Sequence, residues 1–266
     1  MQKNALKFLL FVFLSFYIPL KCYAWGMLGH RIIGEIAESY LSAKARMAIK
    51  GILGHESIAL ASNWADFVKS DTAFNKYESW HYIDFSSDMN YKELQSYLLK
   101  DSSKDAYTAI TFLKKELKKK NLSQLKKAMY LRLLIHFVED VHQPLHVSKE
   151  GDMGGNDIKI TWFGASSNLH KLWDSQLIDF QQLSYTEYAK AINFTTGNQR
   201  RVLQSQPISK WIFDSYQKSN QLRSEIIEPN AKLSYLYNYQ HLQLLNEQLL
   251  KGGIHLAAIL NEIFGK

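Results

Sequence analysis

Apolar residues recur at spacings of three and four along most of this chain, which is the periodicity of amphipathic helices. Only four prolines interrupt the sequence. The pattern predicts helices over residues 31–41, 56–70, 104–119, 122–141, 209–227, 233–250 and 254–263. Residues 158–163 alternate instead and follow a glycine-rich turn at 151–155, so they predict one strand of a hairpin. We therefore expect a mostly α-helical single domain with one small β-hairpin.

Length and composition are those of an ordinary globular protein. The 266 residues suit one large domain or two small ones. Hydrophobic residues make up 46% and charged residues 21%, as in soluble domains. The sequence contains no recognisable linker, repeat or low-complexity segment. The lysine-rich run at 114–120 is explained by a solvated helix face.

The first 24 residues have the features of a secretory signal peptide. Lys3 and Lys7 give a positive start, and residues 8–20 form an apolar stretch that is short for a membrane span. Cys22-Tyr23-Ala24 then places small residues at the minus-three and minus-one positions of a cleavage site. The alternative is an uncleaved N-terminal anchor.

Cleavage after Ala24 would define a mature domain of residues 25–266 that begins at Trp25. It would remove the only cysteine. Because secreted eukaryotic proteins of this size usually carry disulfides, this favours a bacterial periplasmic or secreted protein. Without the three lysines of the signal peptide, 29 basic and 25 acidic residues leave a net charge of +4. That mild excess is consistent with anionic substrates, but it is not the basic stripe of a DNA-binding module.

Several of the nine histidines stand at metal-ligand spacings from aspartates. His136 and Asp140 are four residues apart on a predicted helix, so both face the same side and can reach one metal. His170 and Asp174 repeat this spacing. One such pair is also explained by an ion pair on a helix surface. Two pairs form a stronger pattern when four further candidates are added, namely His30, Asp66, His81 and His146.

Imidazole and carboxylate ligands without thiolate are typical of catalytic zinc, whereas structural zinc sites rely on cysteine. A bound zinc lowers the pKa of water to about 7 and so provides a nucleophile at neutral pH. Neighbouring metals can also neutralise a phosphate and stabilise the departing alkoxide. Bridging carboxylates hold such metal pairs together, so aspartates within a histidine cluster are the ligands that phosphodiester chemistry requires.

Over essentially the whole of residues 25–266, the sequence resembles the S1/P1 nucleases, the zinc-dependent, single-strand-specific nucleases and 3′-nucleotidases of fungi, plants and bacteria. The resemblance implies their helical fold, which is shared with zinc phospholipase C. The matching motifs are Trp-Gly-Met-Leu-Gly-His at 25–30, Asn-Trp-Ala-Asp at 63–66, Trp-His-Tyr-Ile-Asp at 80–84, the segment 136–146, Gly-Gly-Asn at 154–156, the segment 168–174 and Leu-Ala-Ala-Ile-Leu-Asn at 256–261.

The resemblance implies three zinc ions per chain, and all nine ligand positions carry the expected residue types. Asp140 would bridge the first two zincs. The first zinc would be bound by Asp66, His81, His136 and Asp140, the second by His30 with the free amine and carbonyl oxygen of Trp25, and the third by His146, His170 and Asp174. Because cleavage frees the Trp25 amine, removal of the signal peptide would complete the site.

The resemblance also implies substrate-binding residues. Lys69 would stabilise charge at the scissile phosphate, and Asn156 would orient that phosphate. These two residues, together with Asp66 and Asp140, form the expected catalytic set. Tyr82 would stack on a base and Asp84 would bind its edge. Stacking accepts any base that is free of its neighbours, which favours single strands. Tyr82 stands where phenylalanine is usual in the family. For both Tyr82 and Asp84, the alternative is ordinary packing beside the metals.

The expected protein is a secreted or periplasmic, monomeric endonuclease that cuts single-stranded DNA and RNA to 5′-phosphate products and dephosphorylates 3′-nucleotides. A hydroxide bridging the first two zincs would be the nucleophile. We expect no membrane span in the mature chain and no stable protein partner. His255 stands where an arginine is common. His55, His142 and His241 match no ligand position, and we expect them to cap helices or face solvent.

Two alternatives remain open. A zinc phospholipase C would have a similar fold and similar ligands, but the five-residue interval from Trp25 to His30 and the aspartate at 174, where the lipases use glutamate, favour a nuclease. A non-catalytic zinc-binding protein is the other. Structural zinc sites are normally saturated by protein ligands, so sites that leave positions for water argue for catalysis.

Overall fold

A computed structural model describes residues 25–266 of the chain. The predicted signal peptide at 1–24 therefore lies outside the described residues. The described domain is mostly α-helical, which confirms the predicted fold class. Within this part of the chain, no helix combines the length and the apolar character needed to cross a membrane.

The α-helices begin and end at positions that local side chains help to set. Several start after a serine, asparagine, aspartate or threonine whose side chain accepts a hydrogen bond from the first turn, as at Ser42, Asn90 and Asp105. The helices are α1 (Met27–Ser39), α2 (Ala43–Leu53), α3 (Ile58–Ala61), α4 (Trp64–Phe67), α5 (Tyr91–Lys100), α6 (Ala106–Leu117), α7 (Gln124–Asp140), α8 (Leu169–Lys171), α9 (Leu177–Phe180), α10 (Tyr185–Ile192), α11 (Gly197–Gln204), α12 (Ile208–Ser224) and α13 (Tyr235–Phe264). Tighter 3₁₀ segments run over Val68–Ser70, Thr72–His81 and Pro144–His146, and a π-helical turn covers Leu172–Gln176.

The strands are short. β3 (Lys159–Trp162) pairs antiparallel with β4 (Ala165–Asn168), which confirms the predicted hairpin. β5 (Ala231–Leu233) adds a parallel third strand to β3. β1 (Ile83–Phe85) pairs in parallel with β2 (Val147–Lys149). These last three strands have three residues each, too few for an alternating pattern to reveal them.

The centre of the fold is the C-terminal half of α7. From Tyr130 to Asp140 every residue except Arg132 is buried, including the side chains of His136, Glu139 and Asp140. The helices α1, α2, α3, α4, α6 and α13 surround it. A helix enclosed in this way places His136, Glu139 and Asp140 inside the protein, and the functional site is built around them.

Two predicted helix boundaries were wrong. The segment 56–70 is broken into α3, α4 and a 3₁₀ turn. The Ser62 hydroxyl donates to the Ile58 carbonyl beside the break, a bond that competes with regular helix geometry. The predicted helices 233–250 and 254–263 are one continuous helix. Its Gly253 contacts Ile36 of α1 so closely that a Cβ atom would lie 2.6 Å from the Ile36 Cβ.

Gly34 of α1 gives a direct test of close helix packing. A Cβ atom there would lie 2.7 Å from the Ser62 Oγ and 2.8 Å from the Ala59 Cα. We expect Gly34→Ala to lower the free energy of unfolding by about 1–3 kcal/mol through overpacking. The matched control is Gly51→Ala in α2, where a Cβ atom meets nothing within 4 Å, and it should stabilise the helix by about 0.5–1 kcal/mol. Urea unfolding of both variants measures the difference, and equal effects would contradict the close packing.

Candidate metal centre and catalytic pocket

The structure brings the eight predicted side-chain ligands into three adjacent groups. In each group, the possible ligand atoms all lie within 4.8 Å of one another, and every residue is buried. His136 belongs to two of the groups, so these two groups are adjacent and share one candidate ligand. The groups are His30, Asp66 and His136; His81, His136 and Asp140; and His146, His170 and Asp174.

Asp140 lies between the first two groups and its two carboxylate oxygens face different ones. Oδ2 is 2.9 Å from the His81 Nδ1 and 3.2 Å from the His136 Nε2. Oδ1 is 3.6 Å from the His30 Nε2. A fully buried carboxylate with this orientation can hold one cation through each oxygen.

Each ligand reaches the centre because of local chain geometry. His136 and Asp140 lie one turn apart at the end of α7, and the 3₁₀ turn that begins at Pro144 then places His146 beside them. Asp174 lies in the π-helical turn that follows His170. Such turns are rare and are often found at functional sites, because the extra residue changes the direction of the side chains.

Main-chain carbonyls orient three of the histidines. The Nδ1 atoms of His136, His146 and His170 lie 2.6, 2.8 and 2.8 Å from the carbonyl oxygens of Ser62, His81 and Gly154. A carbonyl only accepts a hydrogen bond, so each neutral ring carries its hydrogen on Nδ1 and directs the Nε2 lone pair into the cluster. This is the arrangement that metal-binding imidazoles require.

Glu139 is a residue of the site that the sequence analysis missed. Its Oε2 lies 2.6 Å from the His30 Nδ1, and its Oε1 accepts from the Ser62 hydroxyl at 2.7 Å. Its main-chain carbonyl accepts from the Trp25 indole nitrogen at 3.0 Å. Burial raises the pKa of Glu139 well above its usual value, and a cation beside His30 would favour the ionised form. Glu139 therefore connects His30 to the predicted mature N-terminus.

Gln143 was also missed, and it orients the third group. Its amide nitrogen donates to the Asp174 Oδ1 at 2.5 Å, and its amide oxygen accepts from the Leu145 nitrogen at 2.6 Å. The second bond fixes the amide, so its NH₂ group faces the aspartate. The only signal in the sequence was the position of Gln143 between two predicted ligands, Asp140 and His146.

Apart from Asp66 Oδ1, which lies 2.7 Å from the Lys69 ammonium, three buried atoms of the cluster have no hydrogen-bond partner among residues 25–266, namely His30 Nε2, Asp140 Oδ1 and His146 Nε2. A buried polar atom without a hydrogen-bond partner destabilises the folded state by about 1 kcal/mol to several kcal/mol. All three point toward the candidate ligand atoms of neighbouring residues. Metal ions would satisfy them, so the residues present fit a metal centre with nitrogen and oxygen ligands.

The charge states of Asp140 and His81 also suit metal binding. Burial would raise the pKa of Asp140, but His136 and the other nearby histidines hold it well below its usual value, so the carboxylate is ionised. Burial lowers the pKa of His81 to about 4, so this ring is neutral at neutral pH. Ionised carboxylates and neutral imidazoles are the forms that bind metals.

A pocket of about 520 Å³ opens over these groups. The pocket is lined by all four predicted substrate residues, namely Lys69, Tyr82, Asp84 and Asn156. The candidate ligands His81, His146 and His170 line it as well. The ammonium of Lys69 lies 2.7 Å from the Asp66 Oδ1. A larger, open groove of about 930 Å³ between α12 and the start of α13 contains none of the predicted site residues.

The glycine-rich loop at 151–155 forms one wall of the pocket. Gly154 has φ +61°, and a Cβ atom there would lie 2.6 Å from the Leu145 carbonyl oxygen. Only glycine fits this position, where the Gly154 carbonyl orients His170. Asp152 holds the loop through Arg223 of α12 at 2.5 Å. Asn156 follows, and its amide nitrogen donates to the Met153 carbonyl at 2.8 Å.

Of the remaining histidines, His55 is exposed as predicted. The expectation of a solvent-facing role was wrong for His142 and His241, which are 2% and 7% exposed. Each does bond the carbonyl four residues before it in its helical turn. The His142 Nε2 also lies 2.7 Å from the Nδ1 of His255, and the His255 ring stacks on Trp211. This buried pair lies outside the three groups.

Comparison with known proteins agrees with this geometry. The S1/P1 Nuclease family profile matches residues 25–265. The chain is 30% identical to Nuclease P1 of Penicillium citrinum over 271 residues, which cover 91% of this chain and 98% of that protein. It is 28% identical to Endonuclease 2 of Arabidopsis thaliana over 275 residues, which cover 94% of this chain and 93% of that protein. The chain therefore belongs to the S1/P1 nuclease family.

Proposed function

We propose that this protein is a zinc-dependent nuclease that hydrolyses phosphodiester bonds of single-stranded DNA and RNA to 5′-phosphate products, and that it also releases phosphate from 3′-nucleotides. The observation that carries the proposal is the meeting of three adjacent histidine–aspartate groups beside a pocket that His81, His146 and His170 line together with Lys69 and Asn156. The relatives named as nucleases and endonucleases favour this function over a phospholipase.

Three zinc ions per chain would account for the ligands. Imidazole and carboxylate donors without thiolate suit zinc used in catalysis. We assign the first ion to Asp66, His81, His136 and Asp140, the second to His30 and Asp140 with the amine and carbonyl oxygen of Trp25, and the third to His146, His170 and Asp174. Bound zinc would supply an activated water and positive charge to neutralise the phosphate.

The chain's own residues would position the phosphate and stabilise the charge that develops on it. Lys69 holds an ammonium beside the Asp66 carboxylate, at the pocket wall. Asn156 presents an amide from the loop that Asp152 and Arg223 hold in place. Fixed donors of this kind stabilise a transition state because they need no reorganisation during the reaction.

Tyr82 and Asp84 support a preference for single strands. The Tyr82 ring is 42% exposed at the pocket, so a base can stack on it once that base has left its neighbours. Asp84 follows two residues later in β1, and a carboxylate can accept hydrogen bonds from the amino groups of a base edge. Burial and the nearby Glu150 raise the pKa of Asp84. A base held in a duplex is already stacked on its neighbours and could not stack on Tyr82.

Chelation tests the metal requirement and the substrate together. Protein that begins at Trp25 should release acid-soluble nucleotides from denatured DNA much faster than from duplex DNA. Removal of the metal should abolish this activity, because the ligands alone provide no activated water. Added zinc should restore it.

The same assay separates the alternatives. A zinc-loaded protein that cuts neither denatured DNA nor RNA and does not dephosphorylate 3′-nucleotides would contradict the proposal. Phospholipid substrates would then be tested. Exchangeable zinc without turnover of any of these substrates would instead indicate a zinc-binding protein.

A further inference from the structure

A row of aromatic rings, of which Tyr77 and Tyr130 are buried, connects the pocket to the N-terminal half of α7. Phe74 and Tyr77 line the pocket. The ring centroids of Tyr77 and Trp80 are 4.8 Å apart, those of Trp80 and Phe112 are 6.0 Å apart, and those of Phe112 and Tyr130 are 5.8 Å apart. The Lys126 ammonium lies 5.2 Å from the Tyr130 ring centre. The row therefore ends among lysines.

The lysines at this end dominate the charge of the domain. The 14 residues from 114 to 127 contain seven lysines and one glutamate, a net charge of +6. Residues 25–266 together carry +4, so the rest of the domain carries −2. The end of the α6–α7 hairpin is thus a strongly positive region on a domain that is otherwise slightly acidic.

A solvated helix face and the helix dipole explain only part of this cluster, namely the lysines at the end of α6. Lys126 and Lys127 lie in the first turn of α7, where a positive charge opposes the helix dipole. Glu262 and Glu116 pair with Lys114, Lys118 and Lys119. The other four lysines of the cluster are Lys115, Lys120, Lys126 and Lys127. Their ammonium groups form no ion pair with any carboxylate of residues 25–266. Repulsion among the lysines disfavours all four in the protein alone. The helix dipole also disfavours Lys126 and Lys127, whereas it favours Lys115 in the last turn of α6.

Phe112 stands where the aromatic row and the lysines meet. Its side chain is 41% exposed. Lys115 is three residues further along the same exposed face of α6, and the Lys126 ammonium is held over the adjoining Tyr130 ring. An exposed ring between cations is the combination that binds single strands, because bases stack on the ring while phosphates contact the cations.

We propose that these residues form an accessory track for the single strand, which extends from the catalytic pocket across Phe112 to Lys115, Lys120 and Lys126. The proposal rests on the proposed nuclease function. Lys126 lies about 20 Å along α7 from Asp140, a span of about six nucleotides at the rise of a duplex strand. The track would therefore bind long substrates and leave dinucleotides unaffected.

Binding of a charged, slowly hydrolysed strand tests the track directly. The ligand is a phosphorothioate oligothymidylate of about 20 nucleotides, titrated against the zinc-loaded protein at several salt concentrations. The test variant carries Lys115→Gln, Lys120→Gln and Lys126→Gln. The matched control carries the same charge change at Lys190, Lys218 and Lys232, which lie on α10, α12 and β5.

We expect the test variant to bind the oligonucleotide about tenfold more weakly at low salt. Its plot of log affinity against log salt should be flatter by about two, because each phosphate contact contributes about 0.7 to the slope. The control should match the wild type. Phe112→Leu keeps an apolar side chain at the contact with Trp80 and Tyr130, and it should weaken binding about fivefold or more through lost stacking.

Cleavage of a dinucleotide distinguishes the track from the catalytic site. All variants should retain the wild-type kcat and KM on this substrate. Equal losses of oligonucleotide affinity in the test and control variants, or equal losses on the dinucleotide and the oligonucleotide, would overturn the track. If no variant, including the wild type, hydrolyses any substrate while the binding differences persist, the nuclease proposal fails and the strand-binding surface stands.

Discussion

Asp140→Asn should reduce phosphodiester hydrolysis by about a thousandfold or more. Each oxygen of Asp140 faces a different metal group, at 2.9 Å from the His81 Nδ1 and 3.6 Å from the His30 Nε2. An amide is neutral and has only one oxygen, so it cannot hold two cations. The loss of about 4 kcal/mol of transition-state stabilisation corresponds to about three orders of magnitude in rate.

Zinc content and rate should be measured together on the folded variant. Bound zinc should fall below that of the wild type, with far-UV circular dichroism showing retained helix. Asp179→Asn in α9 is the control, because this exposed aspartate takes the same chemical change outside the pocket. A zinc-replete Asp140→Asn protein with wild-type activity would exclude a bridging role.

One extra residue before Trp25 should reduce activity by about a hundredfold or more. The side chain of Trp25 is fully buried and donates to the Glu139 carbonyl, while the Gly26 nitrogen donates to the Asp174 carbonyl at 2.6 Å. These bonds hold the start of the domain between α7 and the π-helical turn, beside the metal groups. In an extended chain the Trp25 nitrogen is an amide, which has no lone pair for a metal, and the second zinc would lose a ligand.

The comparison needs two preparations of one sequence. Protein with a cleavable extension is assayed before and after a protease exposes Trp25. We expect one zinc fewer per chain before cleavage and recovery of both zinc and activity afterwards. Full activity in the extended protein would show that the amine is not a ligand, and it would separate maturation of the enzyme from removal of a signal peptide.

The candidate metal ligands could be predicted from the sequence, because their residue types and spacings are those of metal-binding sites. His136 with Asp140 and His170 with Asp174 follow the helical repeat, and the structure brings both pairs into the metal groups. The residues that orient these ligands could not be predicted from the sequence. Glu139 supports His30 from 109 residues away in the sequence, and only the packing of α1 against α7 reveals this.

Helix boundaries failed for a related reason. Gly252 and Gly253 fall in the gap between two predicted helices, 233–250 and 254–263, yet they lie inside α13, where the absence of their side chains leaves room for Ile33 and Ile36 of α1. His142 showed no partner in the sequence because its partner, His255, is 113 residues away. Local patterns report what a segment prefers, whereas these residues are determined by the surface that packs against them.

The order in which the chain supplies its metal ligands has a consequence for how the domain withstands unfolding. The candidate ligands run from His30 to Asp174, across more than half of residues 25–266. This part of the chain has no cysteine, so it cannot be cross-linked by disulfides. Bound metals would close the same long loops and restrict the unfolded chain in the way that disulfides do. In such a domain, bound ions would cross-link the folded chain as well as serve the proposed catalysis, so the loss of metal and the loss of resistance to proteases would coincide.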